Sequence, residues 1–312
     1  MKWAIARNAR HAPSLSPSCS STGAINGQDA LGPTAKMAVL QFATRTFCQY
    51  TPMRFMSGIA RINVHARERR DFKIIDETDD YIIVDKPPLL LIHPTKPNGA
   101  TTLWAELRQL LAFEIASGGQ VSIVNRLDRE TSGIVLVAKT TAAAREFGLL
   151  MQSRRVSKEY HAIVWGWPDW ETTSVDAPIV RRGEIGTSKI YLKQTIDPRG
   201  ADAVTKFQVV KRFQKQMPNG ELFALVKAHP LTGRTHQIRV HLASLGHSIV
   251  GDKIYGPDEN LYLRFIDTGW TDELARRLLL ERHALHASRL RIDDERDWSS
   301  PLPEDLHDWL YL

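Results

Sequence analysis

Residues 121–139, VSIVNRLDRETSGIVLVAK, decide how the rest of the chain is read. Val121, Ser122, Ile123 and Val124 form a short β-favouring run, and Ile134 to Ala138 form a second, wholly apolar one. Runs of this length bounded by polar and Gly-containing segments predict strand, loop, strand. The loop between them packs Arg126, Asp128, Arg129 and Glu130 between two strands whose composition predicts burial. Loops held by a rigid scaffold are where catalytic groups concentrate. The plainer expectation is a set of solvated surface charges, each contributing little. Taken alone, the loop favours the plainer reading.

Outward from this stretch the composition is ordinary. Of 312 residues, 43% are hydrophobic and 24% charged, enough to bury a sizeable core in one large domain or two smaller ones. The net charge of +6 is compatible with a polyanionic partner. Its distribution says more: positions 181–215 hold nine Lys/Arg against three acids, Glu184, Asp197 and Asp202. From Asp258 onward thirteen Asp/Glu face seven Arg. One positive face is therefore expected, although basic residues alternating with apolar ones are also the ordinary wet side of a sheet. Two cysteines, Cys19 and Cys48, form no disulfide framework or metal-binding spacing, and they fit a reducing compartment. No apolar run reaches the length of a transmembrane helix.

Residues 1–56 carry six basic residues, one acid (Asp29) and no sustained apolar period. They read as a disordered or spurious extension, with an organelle transit peptide as the alternative. The cytoplasm is the expected location, the mitochondrion only if that alternative holds. From Phe72 the pattern turns regular. Residues 72–88 read as strand, acidic turn, strand, ended by Pro87 and Pro88. Thr101 or Thr102 caps a helix carrying Leu103, Leu107 and Leu111, and Thr140 or Thr141 starts another that reaches Gln152. Strands are expected over 160–165, 189–195, 203–215 and 221–229, with Pro218-Asn219-Gly220 as a turn. A helix is expected over 235–245, stopped by Gly246, then a helix over 272–280, a strand over 285–292 and a last amphipathic turn from Pro301.

Several chemistries are excluded or weakened by spacing. His229, His236, His241 and His247 lie seven, five and six residues apart, which puts no two on one helix face, so no metal is expected. No G-x-S-x-G elbow surrounds Ser132, and no G-x-G-x-x-G or P-loop supports a nucleotide cofactor. Gly233-Arg234-Thr235-His236-Gln237-Ile238-Arg239 sets two guanidiniums beside a helix start, which suits either a phosphate or ordinary capping.

The combination of blocks separates these readings. NRLDRETSG followed by VLVAKT resembles the R-L-D-x-x-T-S-G signature of the RluA-type pseudouridine synthases. DYIIVDKPPLLLIHPT resembles the opening strand pair of that family, KEYHAIVWG its tyrosine-bearing strand, and HPLTGRTHQIRVHLASLGHSIVGDKIYG its third motif. The four blocks stand in the family's order, and the resemblance extends over residues 72–312, including ALHASRL and PLPEDL. One departure is Asn125, where many members have His.

The resemblance implies an isomerase acting on uridines of structured RNA, ribosomal or transfer. The reaction breaks the N1–C1′ bond, turns the uracil in place and makes a C5–C1′ bond. It involves no net redox change, so no cofactor is expected. By resemblance Asp128 is the catalytic carboxylate, as nucleophile, as base at C2′ or as stabiliser of an oxocarbenium-like state. Arg239 is its expected cationic partner, and Tyr160 lies against the target uracil and handles the C5 proton. Arg126, Arg234, His236 and Thr131, in the matching motifs, are the expected RNA-binding residues. The resulting expectation is an α+β catalytic domain over 72–312: a large, mixed, mostly antiparallel sheet with flanking helices and a cleft holding Asp128. RNA is the expected partner, with no membrane or metal, and a monomer is the default. The rivals are a non-catalytic RNA-binding or assembly protein and a base-excising N-glycosidase.

Overall fold

Alternation of side chains along β-strands sends neighbouring residues to opposite faces, and the 121–139 stretch builds the centre of the fold on that rule. The computed structural model describes residues 72–94, 99–217 and 221–311. All lie in the second of two compact units into which the chain divides, Val64–Leu312, and only that unit is described. The expectations for residues 1–56 and for the Pro218-Asn219-Gly220 turn fall outside the described residues.

Strands β1 (Lys73–Glu77) and β2 (Tyr81–Lys86) form the expected hairpin, closed by Thr78, whose Oγ1 accepts from the amides of Asp80 and Tyr81. Helix α1 (Leu103–Leu110) starts where Thr102 Oγ1 accepts from the Ala105 amide, and the short α2 (Ala112–Ala116) follows. Strands β3 (Ser122–Ile123) and β4 (Ser132–Ala138) flank the charged loop. Helix α3 (Thr141–Gln152) is capped by Thr140, and β5 (Ser157–Trp165) carries Tyr160. Next come β6 (Thr172–Asp176), β7 (Ile179–Arg181), α4 (Arg182–Ile185) and β8 (Gln194–Ile196). The long β9 (Val204–Gln214) and β10 (Leu222–Pro230) precede α5 (Gln237–Ser244), α6 (Asn260–Thr268) and α7 (Asp272–Leu278). The chain closes with β11 (Leu285–Arg291), β12 (Asp297–Ser299) and α8 (Glu304–Tyr311).

The main sheet runs β1-β2-β4-β11-β5-β10-β9-β6, with β3 on β4 and β12 on β11, while β7 and β8 pair separately. Only β4 and β11 are parallel among these strand pairs, so the expected mixed, mostly antiparallel α+β sheet is what forms. β4 is buried along all seven residues, as a central strand covered on both faces must be. Val135 and Val137 pack on one side with α1 and α8, and Ile134, Leu136 and Ala138 pack on the other against Phe147 and Leu150 of α3. No helix among the described residues is long and apolar enough to cross a membrane.

Three expectations need correction. The strand over 189–195 begins only at Gln194, because alternation fails before it: Ile190 is buried while Tyr191 and Leu192 are both exposed. β6 and β7 were not expected, their runs being short, and α6 was not expected although Leu261 and Phe265 recur at helical spacing. α5 starts at Gln237 rather than Thr235, because His236 adopts a left-handed conformation (φ 57°) that closes the preceding loop. Thr235 therefore does not stack on Arg239 along one helix.

Gly133 marks the point where the charged loop enters the sheet. Its φ is +111°, and a Cβ there would stand 2.2 Å from the Ala287 carbonyl oxygen of β11. Both the dihedral and the parallel contact require glycine. Gly133→Ala is expected to destabilise the fold by roughly 2 kcal/mol or more. Urea unfolding checks this, and a midpoint equal to that of the parent protein contradicts it.

Candidate active site

The loop from Asn125 to Gly133 is pinned from three directions. The buried Asn125 amide clamps its two ends: Nδ2 donates to the Ile134 carbonyl at 3.0 Å, and Oδ1 accepts from the Leu136 amide at 2.8 Å. Asparagine, the departure noted above, thus uses both ends of its side chain to close the loop. Lys86 is fully buried and donates to the carbonyls of Pro87, Leu90 and Arg129 at 2.8, 3.0 and 3.1 Å. Burial, with the Arg282 charge, pushes its pKa down to about 7. Glu130 accepts from Lys253 Nζ at 2.8 Å and from the His283 amide at 3.0 Å. Against the effect of burial, contacts with His283 and Lys253 hold its pKa at about 2. The two acids of the loop are therefore committed to distant partners, and the solvated-charge reading fails for them. Arg126 and Arg129 are exposed.

Asp128 sits half-buried between these anchors. Arg239 Nη1 donates to its Oδ2 at 2.8 Å. The same guanidinium donates through Nε and Nη2 to the two oxygens of Asp252, at 2.7 and 2.9 Å. Asp252 is wholly buried and also accepts from the amides of Ile254 and Tyr255, at 3.0 and 3.1 Å. Its carboxyl is held far below the usual range: burial opposes this, and the Arg239 charge and hydrogen bonds overcome it. Tyr255 lays its ring 5.1 Å from the Arg239 guanidinium, and its hydroxyl lies 2.9 Å from His236 Nδ1. His236 Nε2 in turn lies 3.9 Å from Asp128 Oδ2.

Burial works to raise the Asp128 pKa, and the basic groups around it, His236 and Arg239 foremost, bring it below the ordinary value. Burial and the Arg239 charge push His236 down to about 4, so it is neutral at pH 7. The standing counter-charge of Asp128 is therefore Arg239. Tyr160 is buried on β5, and burial together with the Asp128 charge raises its hydroxyl pKa well above the usual value. A cavity of about 430 Å³ gathers Asp128, Tyr160 and Arg239 with Arg126, Arg234, His236 and Thr131. All seven residues singled out from the sequence thus meet in one place.

They are not equally available. The Thr131 hydroxyl is bonded to His283 Nε2 at 2.7 Å. Arg234 donates Nε to the Asp202 carbonyl at 2.9 Å but is otherwise exposed, and Arg126 makes no ion pair among the described residues. Arg239, with both its carboxylates, is not free for phosphate, so the pairing of two guanidiniums at a helix start reduces to Arg234 alone. The other histidines of the sequence cluster disperse. His241 bonds Thr205 and the Ala177 carbonyl, His247 bonds the Trp165 carbonyl, and His229 lies 3.8 Å from Glu159. Among the described residues no group of three or more metal-capable side chains forms. Sequence reasoning missed Asp252, Tyr255, Lys86 and the anchoring role of Glu130. The signal available for Asp252 and Tyr255 was their place inside the third-motif block, and for Lys86 its place inside the opening block.

A family model described as RNA pseudouridylate synthase matches residues 80–244. The ribosomal large subunit pseudouridine synthase D of Nitrosomonas europaea is 35% identical over 249 residues, covering 78% of this chain and 65% of the relative. Its namesake in Escherichia coli (strain K12) is 34% identical over 244 residues, covering 75% of this chain and 68% of the relative. The chain thus spans about two thirds of the length of these relatives. Among solved structures, human RNA pseudouridylate synthase domain containing 4 superposes with a TM-score of 0.56 at 25% identity, covering 76% of this chain and 91% of that one. Human RNA pseudouridylate synthase domain containing 1 gives 0.54 at 27% identity, covering 75% and 83%.

The buried imidazoles make the fold acid-sensitive. His236 and His286 both stay neutral to about 4, in each case mainly through burial, whereas an unfolded histidine titrates near 6.5. Between those values the unfolded chain binds more protons, so stability rises with pH through the window and is lost as pH falls through it. Denaturant titrations are expected to show a loss of roughly 5 kcal/mol between pH 7 and 4.5, shared by the two imidazoles; a level profile contradicts the assignment.

Proposed function

The chain belongs to the RNA pseudouridylate synthase family, and on that premise we propose that it isomerises uridine to pseudouridine in structured RNA, with Asp128 as the catalytic carboxylate. The observation that carries this reading is one ionised carboxylate set in a cavity, ion-paired to a buried guanidinium and sharing the cavity with a buried tyrosine. A cavity of about 430 Å³ is of the size that takes a small ligand such as one nucleoside.

A paired uridine must leave its stack to enter, at a cost of a few kcal/mol. Asp128 then faces the anomeric centre. As nucleophile it takes C1′ while the bond electrons return to N1 of the uracil. As base it takes the C2′ proton, and as a bystander anion it stabilises an oxocarbenium-like centre. Each route needs the carboxylate ionised, which Arg239 secures. After rotation C5 bonds to C1′, the C5 proton departs and N1 gains one, so the product is an isomer and no electrons enter or leave.

Tyr160 offers its ring to the uracil and its hydroxyl to the proton at C5. The Asp128 charge is part of what keeps that hydroxyl protonated. When the carboxylate gives up its charge to C1′ or to a proton, the tyrosine becomes the easier group to ionise. This coupling orders the two events, bond cleavage before C5 deprotonation.

Arg126 and Arg234, exposed and lining the cavity, are suited to phosphate contacts that position the strand. Of the basic residues between 181 and 215, four are paired with acids: Arg181 with Glu184, Lys193 with Glu259, Arg199 with Asp197 and Arg212 with Glu171. Arg182, Lys189, Lys206, Lys211 and Lys215 form no ion pair among the described residues and extend the contact surface. The substrate is ribosomal or transfer RNA, with recognition resting on RNA shape more than on a residue code.

RNA labelled with tritium at uridine C5 tests the reading. Tritium release with an unbroken chain is expected; free uracil indicates an N-glycosidase, and no change a binding or assembly protein. Asp128→Asn is expected to lower turnover by at least about 10³-fold while RNA affinity changes only a few-fold. Retained turnover removes the mechanism. Tyr160→Phe is expected to lower kcat about 10²- to 10⁴-fold, measured by the same tritium release, with KM little changed.

A further inference from the structure

Lys158 is a cation of the cavity that has no acidic partner among the described residues. It stands two residues before Tyr160 on β5, so both side chains leave the same face of the strand. Its ammonium lies 3.5 Å from the Thr232 carbonyl, the limit of a hydrogen bond, and faces Gly233, where a Cβ would be 4.0 Å away. The loop it faces is firmly held. Thr232 Oγ1 donates to Gln237 Oε1 at 2.7 Å, the Arg234 amide donates to the same oxygen at 3.0 Å, and Gln237 Nε2 donates to the Val204 carbonyl at 2.9 Å.

Lys158 is half-buried, and burial alone lowers its pKa, with no carboxylate close enough to oppose the shift. The contrast with its neighbours is informative. Arg239 is neutralised by two carboxylates, and Lys86, also without a carboxylate bond, spends its three protons on three carbonyls. Lys158 has three donors and one marginal acceptor. A partly desolvated ammonium left in this state is unfavourable unless an anion arrives. In RNA the bases and sugars are neutral, and the only anions are the phosphates. Two residues of strand span about 7 Å, on the order of the separation between a nucleotide's base and its own phosphate.

We propose that Lys158 binds a phosphate oxygen of the RNA strand immediately beside the flipped-out uridine, and so anchors the backbone while Tyr160 meets the base. The proposal rests on the reading of the cavity as a uridine site. Lys158 becomes a substrate-positioning residue, separate from the Asp128–Arg239 pair that faces the sugar.

The test uses the full chain, an unmodified ribosomal RNA transcript as probe, and the variants Lys158→Met and Lys158→Arg, each shown by thermal melting to fold like the parent. Affinity is measured across a salt series and turnover by tritium release. For Lys158→Met the expected result is a KM raised about tenfold with the loss absent from kcat. The slope of log Kd against log salt is expected to shrink by about 0.7 to 0.9, the value of one phosphate contact. Lys158→Arg is expected to restore the slope, which a merely structural lysine would not do. An unchanged slope, or a loss confined to kcat, overturns the proposal. If the parent releases no tritium from any RNA, the uridine reading fails, and the salt slope still reports separately whether Lys158 holds a phosphate.

Discussion

Arg239 divides one guanidinium between two carboxylates, and the rest of the site is arranged to keep that division. Asp252, wholly buried and fixed by two backbone amides, takes the Nε edge as a bidentate pair. That geometry leaves Nη1 one direction to point, and Asp128 lies there. Bidentate pairing brings geometric specificity along with energy. Buried ion pairs contribute little net stability, because desolvation offsets the attraction, yet removing one partner leaves a charge stranded at a cost of about 3 to 5 kcal/mol. The arrangement is better understood as orientation than as glue. It keeps one carboxylate ionised in a half-buried place where burial alone would favour its neutral form.

The loop that carries Asp128 is built to the same end. Asn125 ties its two ends to β4, Lys86 holds the Arg129 carbonyl, and Glu130 runs to Lys253 and His283. Preorganised charges need no rearrangement when the reaction begins, which is the larger part of electrostatic catalysis. The left-handed backbone at His236 belongs to the same scheme. Non-glycine residues held there cost of order 1 to 3 kcal/mol and cluster at functional sites. Here the strained residue brings its imidazole to 3.9 Å from Asp128 and starts the helix that presents Arg239. Its neutrality leaves the field at Asp128 to Arg239.

Charge is sorted by burial across the molecule. Of the deep cations, Arg239, Lys253 and Arg282 meet carboxylates and Lys86 gives its protons to three carbonyls, while Arg126 at the cavity makes no ion pair among the described residues. Lys158, between the two groups in depth, is the exception that points to a phosphate. The basic surplus of residues 181–215 divides in the same way, about half of it already neutralised on the protein's own surface. Net charge read from sequence therefore overstates the area open to RNA.

Local signals were legible wherever they act over a few residues. Thr102 and Thr140 cap the helices their positions imply, and the two apolar runs beside the NRLDRETSG loop became β3 and β4. The residues named from the four motifs all meet at one cavity. What the chain alone determined was which residue types stand in which order. Only the tertiary structure decided how they are wired, since that depends on contacts between residues far apart along the chain. The Asp128–Arg239 pair, the parallel contact of Gly133 with Ala287 and the grip of Lys86 on Arg129 each cross dozens of residues or more. Periodicity and capping cannot reveal such contacts. A half-buried carboxylate is kept ionised only when folding, which removes water from it, also supplies a guanidinium in its place.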